Sequence, residues 1–272
     1  MTYYESAHAV VQPAGADRFL REIETSIVLP RYKEGFPIID KTIKRIRRIQ
    51  QHHSLQIIVV NDSKRENFVD EDIKQLQLAH PDVIVISNAG NHGKGYSVRR
   101  GVEVASGRYI AYSDIDFPIS DEDFFAAHRH IKDGNFDLVI GNRCVYGRVK
   151  ANYYRAATSK IFRRFVNVLL DRDVIDAQCP FKILTSSTAK ELFSKQFVNG
   201  YAFDAEIVYL SRLLSKSLFQ YPVNWEDTRE DWTLIKTISN YAVMISDLIR
   251  VKVYWDYKST PRHAGARVRR SD

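Results

Sequence analysis

Residues 108–116 read Arg-Tyr-Ile-Ala-Tyr-Ser-Asp-Ile-Asp. An apolar run of aromatic and β-branched residues breaks off into two aspartates one residue apart. The apolar part fits a buried strand. Alternate residues of an extended segment point the same way, so Asp114 and Asp116 can face one ligand. Two carboxylates at a strand end are hard oxygen donors that suit Mg2+ or Mn2+, with phosphate oxygens and water completing the shell. A solvated acidic turn has the same spelling, and the position at the end of a buried strand favours the ligand. Outward from this stretch, similar runs occur at 26–29, 55–60, 83–87 and 138–141. Helical patterns at 37–51, 69–80, 95–105 and 121–132 lie between them. The alternation predicts an α/β protein with a mostly parallel central sheet and helices on both faces. Such sheets bind ligands beyond the carboxyl ends of their strands.

After Gly147 the pattern changes. A helix is expected at Tyr153–Leu170, a strand at 181–184, helices at 187–194 and 203–214, a strand at 218–223 and a long helix at 234–255. These read as an elaboration that completes the same domain. The expected division is an N-terminal arm (1–23), a catalytic domain (24–235), a C-terminal helix (236–257) and a basic tail (258–272).

The chain has 272 residues, 44% hydrophobic, 27% charged and 12% aromatic, which excludes a disordered or fibrous protein. Cys144 and Cys179 are its two cysteines, too few for a disulfide framework and suited to a reducing compartment. No apolar run approaches the roughly 18–20 residues of a membrane span. The first residues lack the basic and apolar regions of a signal peptide. The expectation is a soluble, cytoplasmic protein. Of the net charge of +7, residues 150–170 carry +5 and residues 258–272 carry +4, leaving −2 for the rest. Such local excess suits an anionic partner: phosphates, a lipid surface or nucleic acid. The tail alone is adequately read as solvated.

Two further clusters fall at strand ends. Asn91-His92-Gly93-Lys94-Gly95 opens a helix, where glycines let backbone approach a ligand and a helix N-terminus favours anions. Arg99 and Arg100 add positive charge nearby. The spacing is not that of a Walker loop, and a plain turn before a helix reads equally well. Pro30-Arg31-Tyr32-Lys33-Glu34 follows the first strand, and Asn61-Asp62-Ser63 follows the second. Asp62 can accept from a ring N–H of uracil or guanine, and Glu34 from a ribose hydroxyl. Taken singly, each also reads as a helix or turn cap.

In this order, SIVLPRYKEG, IIVVNDS, NHGKGYSVRRGVEVASGRYIAYSDID and GNR resemble the family 2 glycosyltransferases of the GT-A fold. Downstream, DAQCPFKILTSSTAKELF, YAFDAEIVYL and YPVNWEDTRED resemble the branch comprising dolichyl-phosphate glucosyl- and mannosyltransferases. The resemblance covers about residues 24–235. It implies a hexosyltransferase that inverts the anomeric centre and uses Mg2+ or Mn2+. The donor would be UDP-glucose by preference, with GDP-mannose the alternative, and the acceptor polyprenyl phosphate. It implies that Pro30, Tyr32, Glu34 and Asp62 bind the nucleoside, with Lys94 on the base and ribose side. Asp114 and Asp116 would hold metal and diphosphate, and Arg143 and Arg155 would sit near the phosphates. Asp176, Gln178, Asp204 and Glu206 would approach sugar and acceptor, and Arg229 would contact the diphosphate when its loop closes. The chain departs from the usual pattern at Asn61 to Lys64, where relatives have Asp-Asp-Gly-Ser, and at Pro118 and Pro180. Arg31 adds a charge beside the nucleotide.

A helix at Tyr153–Leu170 places Phe162, Phe165, Val166, Val168, Leu169 and Leu170 on one arc flanked by Lys160, Arg163 and Arg164. That is the pattern of a helix lying in a headgroup plane, and equally of one packed on a sheet. The resemblance favours peripheral contact with the cytoplasmic face of a membrane. Peripheral binding, an anchoring partner subunit and a soluble acceptor all remain open. The aromatics Tyr241, Tyr254, Trp255 and Tyr257 read as core or as a contact in a homo-oligomer. Two other functional readings stand beside the main one. One is a transferase acting on a soluble metabolite or peptide; the other is a non-catalytic nucleotide- or nucleic-acid-binding module. The second is disfavoured because no basic motif interleaved with aromatics for base stacking occurs, so no nucleic-acid partner is expected.

Overall fold

The structure, a computed structural model, describes residues 9–11, 23–63, 70–143, 164–166, 168–169, 174–224 and 234–259. Its strands are β1 (Ala9–Val11), β2 (Thr25–Arg31), β3 (Leu55–Asn61), β4 (Ile84–Ser87), β5 (Tyr109–Tyr112), β6 (Leu138–Asn142), β7 (Lys182–Thr185) and β8 (Leu218–Pro222). Its helices are α1 (Phe36–Gln50), α2 (Glu71–Ala79), α3 (Lys94–Val104), α4 (Asp121–Asp133), α5 (Ser186–Lys195), α6 (Phe203–Leu213) and α7 (Leu234–Ser259).

The alternation of apolar residues along β2 and β3 decides the layering. Ile27, Leu29, Ile57 and Val59 point into one core, and Val28, Ile58 and Val60 into the other. Each core is closed by helices whose apolar residues recur at helical spacing. Ile39, Ile43, Ile46 and Ile49 of α1, with Ile73 and Leu76 of α2 and Phe124 of α4, cover the first. Val98 and Val102 of α3, Leu192 and Phe193 of α5 and most of α6 cover the second. Both faces are therefore dry, which is why these strands read as near-continuous apolar runs.

The eight strands lie in the order β1-β4-β3-β2-β5-β7-β6-β8. β1 and β7 run antiparallel to their neighbours, and the remaining pairs are parallel. The chain steps outward from β2 through β3 to β4, then returns to place β5 on the other side of β2. That reversal opens a crevice at the carboxyl ends of β2 and β5. The mostly parallel sheet with helices on both faces is as the sequence predicts, with element ends differing by one or two residues, except that α7 runs four residues past its expected end. The stretch expected as an arm contains β1, whose three residues pair with Val85, Ile86 and Ser87. Three residues are too few to show a period.

Of the helix expected at 153–170, only 164–166 and 168–169 lie within the described residues, and they are helical. Val166 is buried, and Leu169 packs on the core. Phe165 and Val168 are exposed, next to exposed Arg164. The apolar arc thus divides, one edge on the core and the other facing out. Along α7, Tyr241 and Trp255 pack against the core, while Tyr254 and Tyr257 are exposed.

α3 lies close against β2 because Gly101 carries no side chain. A Cβ built there would stand 2.3 Å from Val28 Cγ1. Gly101→Ala is expected to destabilise the protein by about 1–3 kcal/mol through overpacking. The same change at an exposed helix position would add up to about 1 kcal/mol of stability. The sign of the shift in urea-unfolding midpoint decides between the two.

Candidate active site

Four strand ends meet around a cleft of ≈ 1010 Å³. β2 contributes Pro30, Arg31, Tyr32 and Glu34, β3 contributes Asp62, the β4 loop contributes Asn91, Gly93 and Lys94, and β5 contributes Asp114 and Asp116. Seven of the residues singled out from the sequence line it: Pro30, Tyr32, Glu34, Asp62, Lys94, Asp114 and Asp116.

The charge of Arg31 is matched internally. Its Nη1 donates to Asn61 Oδ1 at 2.8 Å and to Asp70, Nη2 meets Asp72 at 3.0 Å, and Nε donates to the Glu34 carbonyl at 2.8 Å. Asp70 also caps α2. Burial works to raise the Asp70 pKa, and Ser63 and Arg31 outweigh it and hold the carboxyl below its usual range. Arg31 therefore ties the ends of β2 and β3 to α2. Glu34 Oε2 accepts from the Tyr32 and Lys33 amides at 2.9 and 3.1 Å, which closes the loop over the cleft.

Asp62 organises the next loop. Its Oδ1 accepts from Asn88 Nδ2 at 2.7 Å and from the His92 amide at 3.0 Å, and Oδ2 accepts from the Gly93 amide at 2.7 Å. Gly93 has φ +102°, and a Cβ there would lie 2.5 Å from the Asn199 carbonyl oxygen. That carbonyl accepts from the Gly95 and Tyr96 amides at 2.7 and 3.2 Å. The glycines thus admit Asn199 of the same chain, and these donors at the start of α3 meet a carbonyl rather than an anion. Arg99 donates to the Gln196 carbonyl and Asn199, and Arg100 pairs with Glu103, so neither charge points into the cleft.

The aspartate pair sits on a turn in which the Phe117 amide donates to the Asp114 carbonyl at 3.0 Å. Phe117 has φ 45°, a left-handed conformation that costs a non-glycine residue about 1 kcal/mol or more. Its fully buried ring and Arg45 hold it there: Arg45 donates to the Phe117 and Ile119 carbonyls and lies over the ring. Asp114 then leads into an alternating chain of charge. Lys94 Nζ is 2.7 Å from Asp114 and 3.8 Å from Asp204. Asp204 accepts from Lys182 Nζ at 2.6 Å and from the Tyr112 hydroxyl at 3.0 Å. Lys182 and Tyr112 are fully buried. Burial works against the Lys94 charge, and Asp114 and Asp204 outweigh it, so its pKa is raised. Burial, reinforced by Asp204, pushes the Tyr112 hydroxyl well above its usual range. Lys182, Tyr112 and Arg45 are contributors that the sequence reading did not single out.

Of the remaining candidates, the described residues Arg143, Asp176, Gln178, Asp204 and Glu206 are not among the side chains that wall this cleft. Arg143 grips Asp176 through three bonds, Nε to Oδ2 at 2.7 Å, Nη2 to Oδ1 at 2.8 Å and its amide to Oδ2 at 3.2 Å. Burial opposes the Arg143 charge and Asp176 more than restores it, raising its pKa. Glu206 is fully buried and accepts from the Phe197 and Val198 amides and Trp255 Nε1. Burial pushes its pKa up. Glu206 thus fastens α6 to α7. Gln178 is half-buried, and its Nε2 has no hydrogen-bond partner among the described residues. Arg155 and Arg229 lie outside the described residues.

Asp114 and Asp116 give the cleft two hard oxygen donors on one turn, and the Lys94 ammonium shows that Asp114 takes a cation. This donor set fits Mg2+ or Mn2+ completed by phosphate oxygens and water. The family model Glycosyl transferase family 2 matches residues 26–193. The chain belongs to that family. The family match spans β2 to α5, and Asp204, beyond it, pairs with Lys94 and Lys182 inside it. The chain is also 26% identical over 249 residues to a dolichyl-phosphate beta-glucosyltransferase of Trichomonas vaginalis, covering 86% of this chain and 72% of that protein. Among solved structures, mannosyl-3-phosphoglycerate synthase from Rubrobacter xylanophilus superposes with TM-score 0.64 at 16% identity, over 89% of this chain and 78% of that one. A mannosyltransferase from Pyrobaculum calidifontis, solved with GDP-Man and Mn2+, gives TM-score 0.57 at 15% identity over 85% of this chain and 65% of that one. These likenesses place the sheet and helices of this family 2 glycosyltransferase in the GT-A fold.

Removing one member of a buried ion pair leaves the other charge uncompensated. Lys182→Met is therefore expected to cost about 3 kcal/mol, the low end of the usual range, because Tyr112 and Lys94 still face Asp204. Equilibrium denaturation of Lys182→Met, and of Lys182→Met with Asp204→Asn, checks this. The second change should recover part of the loss.

Proposed function

We propose that this family 2 glycosyltransferase moves a hexose from a sugar nucleotide to polyprenyl phosphate with inversion at the anomeric carbon. UDP-glucose is the favoured donor and GDP-mannose the alternative. The observation that carries the reading is the likeness, over 86% of the chain, to a protein named for glucosyl transfer to dolichyl phosphate. The cleft supports it, with two carboxylates on one turn and Pro30 and Tyr32 in its wall.

Asp114 and Asp116 would hold Mg2+ or Mn2+, which when bound supplies Lewis-acid stabilisation of a diphosphate leaving group. Every other task falls to side chains. Asp62 Oδ2, with one donor already in place from Gly93, has a lone pair for the ring N–H of a base. Glu34 would accept from the ribose. Lys94, expected from the resemblance on the base and ribose side, is held by Asp114 and Asp204 beside the aspartate pair, and that place supports a role at the diphosphate instead. A phosphate monoester acceptor is already anionic near neutral pH, so its attacking oxygen requires cations rather than a strong base. Arg155 and Arg229 are proposed for that role and for the leaving group. Arg143, held by Asp176, is proposed to line the phosphate side, and Gln178 and Asp204 the sugar side.

Among the described residues, no helix is long and apolar enough to cross a membrane. Peripheral contact at the cytoplasmic face is proposed through residues 153–170. The exposed Phe165 and Val168 beside Arg164 support it. Each basic residue near an anionic surface adds on the order of 1 kcal/mol. Replacing both Phe165 and Val168 with Glu should lower co-sedimentation with vesicles containing anionic lipid, leaving the melting temperature nearly unchanged. Undiminished co-sedimentation would remove this surface from the proposal.

The purified protein, given Mn2+, labelled UDP-glucose or GDP-mannose, and polyprenyl phosphate in detergent, is expected to label the lipid from UDP-glucose. Chelation should abolish the transfer, and Asp116→Ala should lower it at least about 100-fold. Transfer only to a soluble hydroxyl acceptor would overturn the acceptor assignment, and full activity of Asp116→Ala under chelation would overturn the metal role.

A further inference from the structure

The amino ends of the strands, opposite the cleft, carry a second group of ligating side chains. Glu24 immediately precedes β2, His53 lies in the turn before β3, and His128 belongs to α4. His53 Nδ1 is 3.0 Å from Glu24 Oε2, and His128 Nε2 is 3.7 Å from Glu24 Oε1. One ligand atom from each residue lies within 4.8 Å of the other two, which among the described residues holds for this trio alone. The length of β2 separates the trio from the cleft by about 20 Å.

His128 is 2% exposed, and its Nε2 has no hydrogen-bond partner among the described residues. A buried ring nitrogen of that kind calls for something to satisfy it. The surroundings hold the rings in place. Phe125 stacks on His53 at 5.2 Å, Phe124 lies parallel to His128 at 6.3 Å, and Tyr109 meets His128 edge-on at 5.1 Å. The backbone is equally fixed: the Glu24 and Thr25 amides both donate to the Ser54 carbonyl, and the Tyr109 amide donates to Glu24.

We propose that Glu24, His53 and His128 form a binding site for a borderline divalent cation, Zn2+ above all, with a fourth position open to water. Two imidazoles and one carboxylate are the donor set of three-ligand zinc sites. Ligand atoms on a tetrahedral zinc ion stand about 3.4 Å apart, so the present separations need only small side-chain adjustments. The protonation states match. Burial pushes the His128 imidazole down to about 4, which leaves its lone pair available at neutral pH. Burial works to raise the Glu24 pKa, but His53 and Lys132 outweigh it and keep the carboxylate ionised. Two other charges face the trio. Lys132 Nζ stands 3.2 Å from Glu24 Oε1, and Asp133 adds a negative field at His128. The Lys132 side chain is half exposed and long, so it can turn into solvent as the cation enters. The bound ion would lock the starts of β2 and β3 to α4.

Equilibrium dialysis of metal-free full-length protein against micromolar Zn2+, with melting temperature as a second readout, tests the site. The Asp114→Asn/Asp116→Asn double variant separates it from the cleft. Wild type and the double variant are expected to bind one Zn2+ and to melt higher with it, since a ligand of the native state stabilises by mass action. His53→Ala is expected to bind at least about 100-fold more weakly and to lose the rise. Glu24→Gln keeps the side-chain shape and should behave alike, should His53→Ala fold poorly. Absence of Zn2+ binding by wild type, equal binding by His53→Ala and Glu24→Gln, or loss of binding in the cleft variant would each overturn the proposal. Nucleotide-sugar transfer plays no part in these readouts, so they stand apart from the proposed reaction.

Discussion

A lysine ammonium wholly removed from water is tolerated only against a carboxylate, and Lys182 meets Asp204 at 2.6 Å. That pair fixes far more than two side chains. Asp204 lies in the first turn of α6 and Lys182 opens β7, so the pair anchors helix to sheet. The Tyr112 hydroxyl reaches the same carboxylate from β5, two residues before Asp114. Lys94 reaches it from the start of α3 and spans to Asp114. One buried carboxylate thus sets the relative places of α3, β5, β7 and α6 at the point where the cleft opens. The geometry of the aspartate pair rests on it.

A second constraint explains two departures from the usual family pattern together. Asn61 Oδ1 accepts from Arg31 while Asn61 Nδ2 donates to Asp70 at 3.1 Å. An ionised aspartate at 61 could do the first but not the second, and it would stand as a third carboxylate around one guanidinium. Arg31, Asn61 and Asp70 form one balanced unit behind the cleft wall. Its effect is to stiffen the loop that carries Tyr32 and Glu34.

The sheet was legible because its strands are buried on both faces and alternate with helices of clear 3.6-residue period; Ile39, Ile43, Ile46 and Ile49 are one such stripe. The cleft was legible because its residues sit directly at strand ends. What escaped was what distance along the chain conceals. Lys182 and Asp204 are 22 residues apart, Tyr112 and Asp204 are 92 apart, and neither separation leaves a local signal. The sequence also contains two similar acidic spellings, Asp114-Ile115-Asp116 and Asp204-Ala205-Glu206. In an extended segment such residues share a side, whereas on a helix positions two apart are turned by about 200°. Accordingly Asp204 faces Lys94 and Lys182, and Glu206 turns to Phe197, Val198 and Trp255. Spacing carries chemistry only once the local conformation is known.

The electrostatics of the cleft follow from where its cations are committed. Arg31, Arg99 and Arg100 are paired with the protein's own acceptors, and the α3 amides of Gly95 and Tyr96 with Asn199. Lys94 is the described cation that bridges the cleft to the buried pair, and Asp114 and Asp204 hold its ammonium above its ordinary pKa. Its charge is therefore constant through neutral pH and cannot act as a protonation switch. On the proposed reading, a charged diphosphate entering the cleft would change the balance around Lys94 by competing with Asp114 for it. Each share of the ammonium that the diphosphate takes leaves Asp114 more negative. On the proposed reading, that is the moment at which Asp114 and Asp116 favour a divalent cation most, so donor and metal would strengthen each other's binding through one lysine.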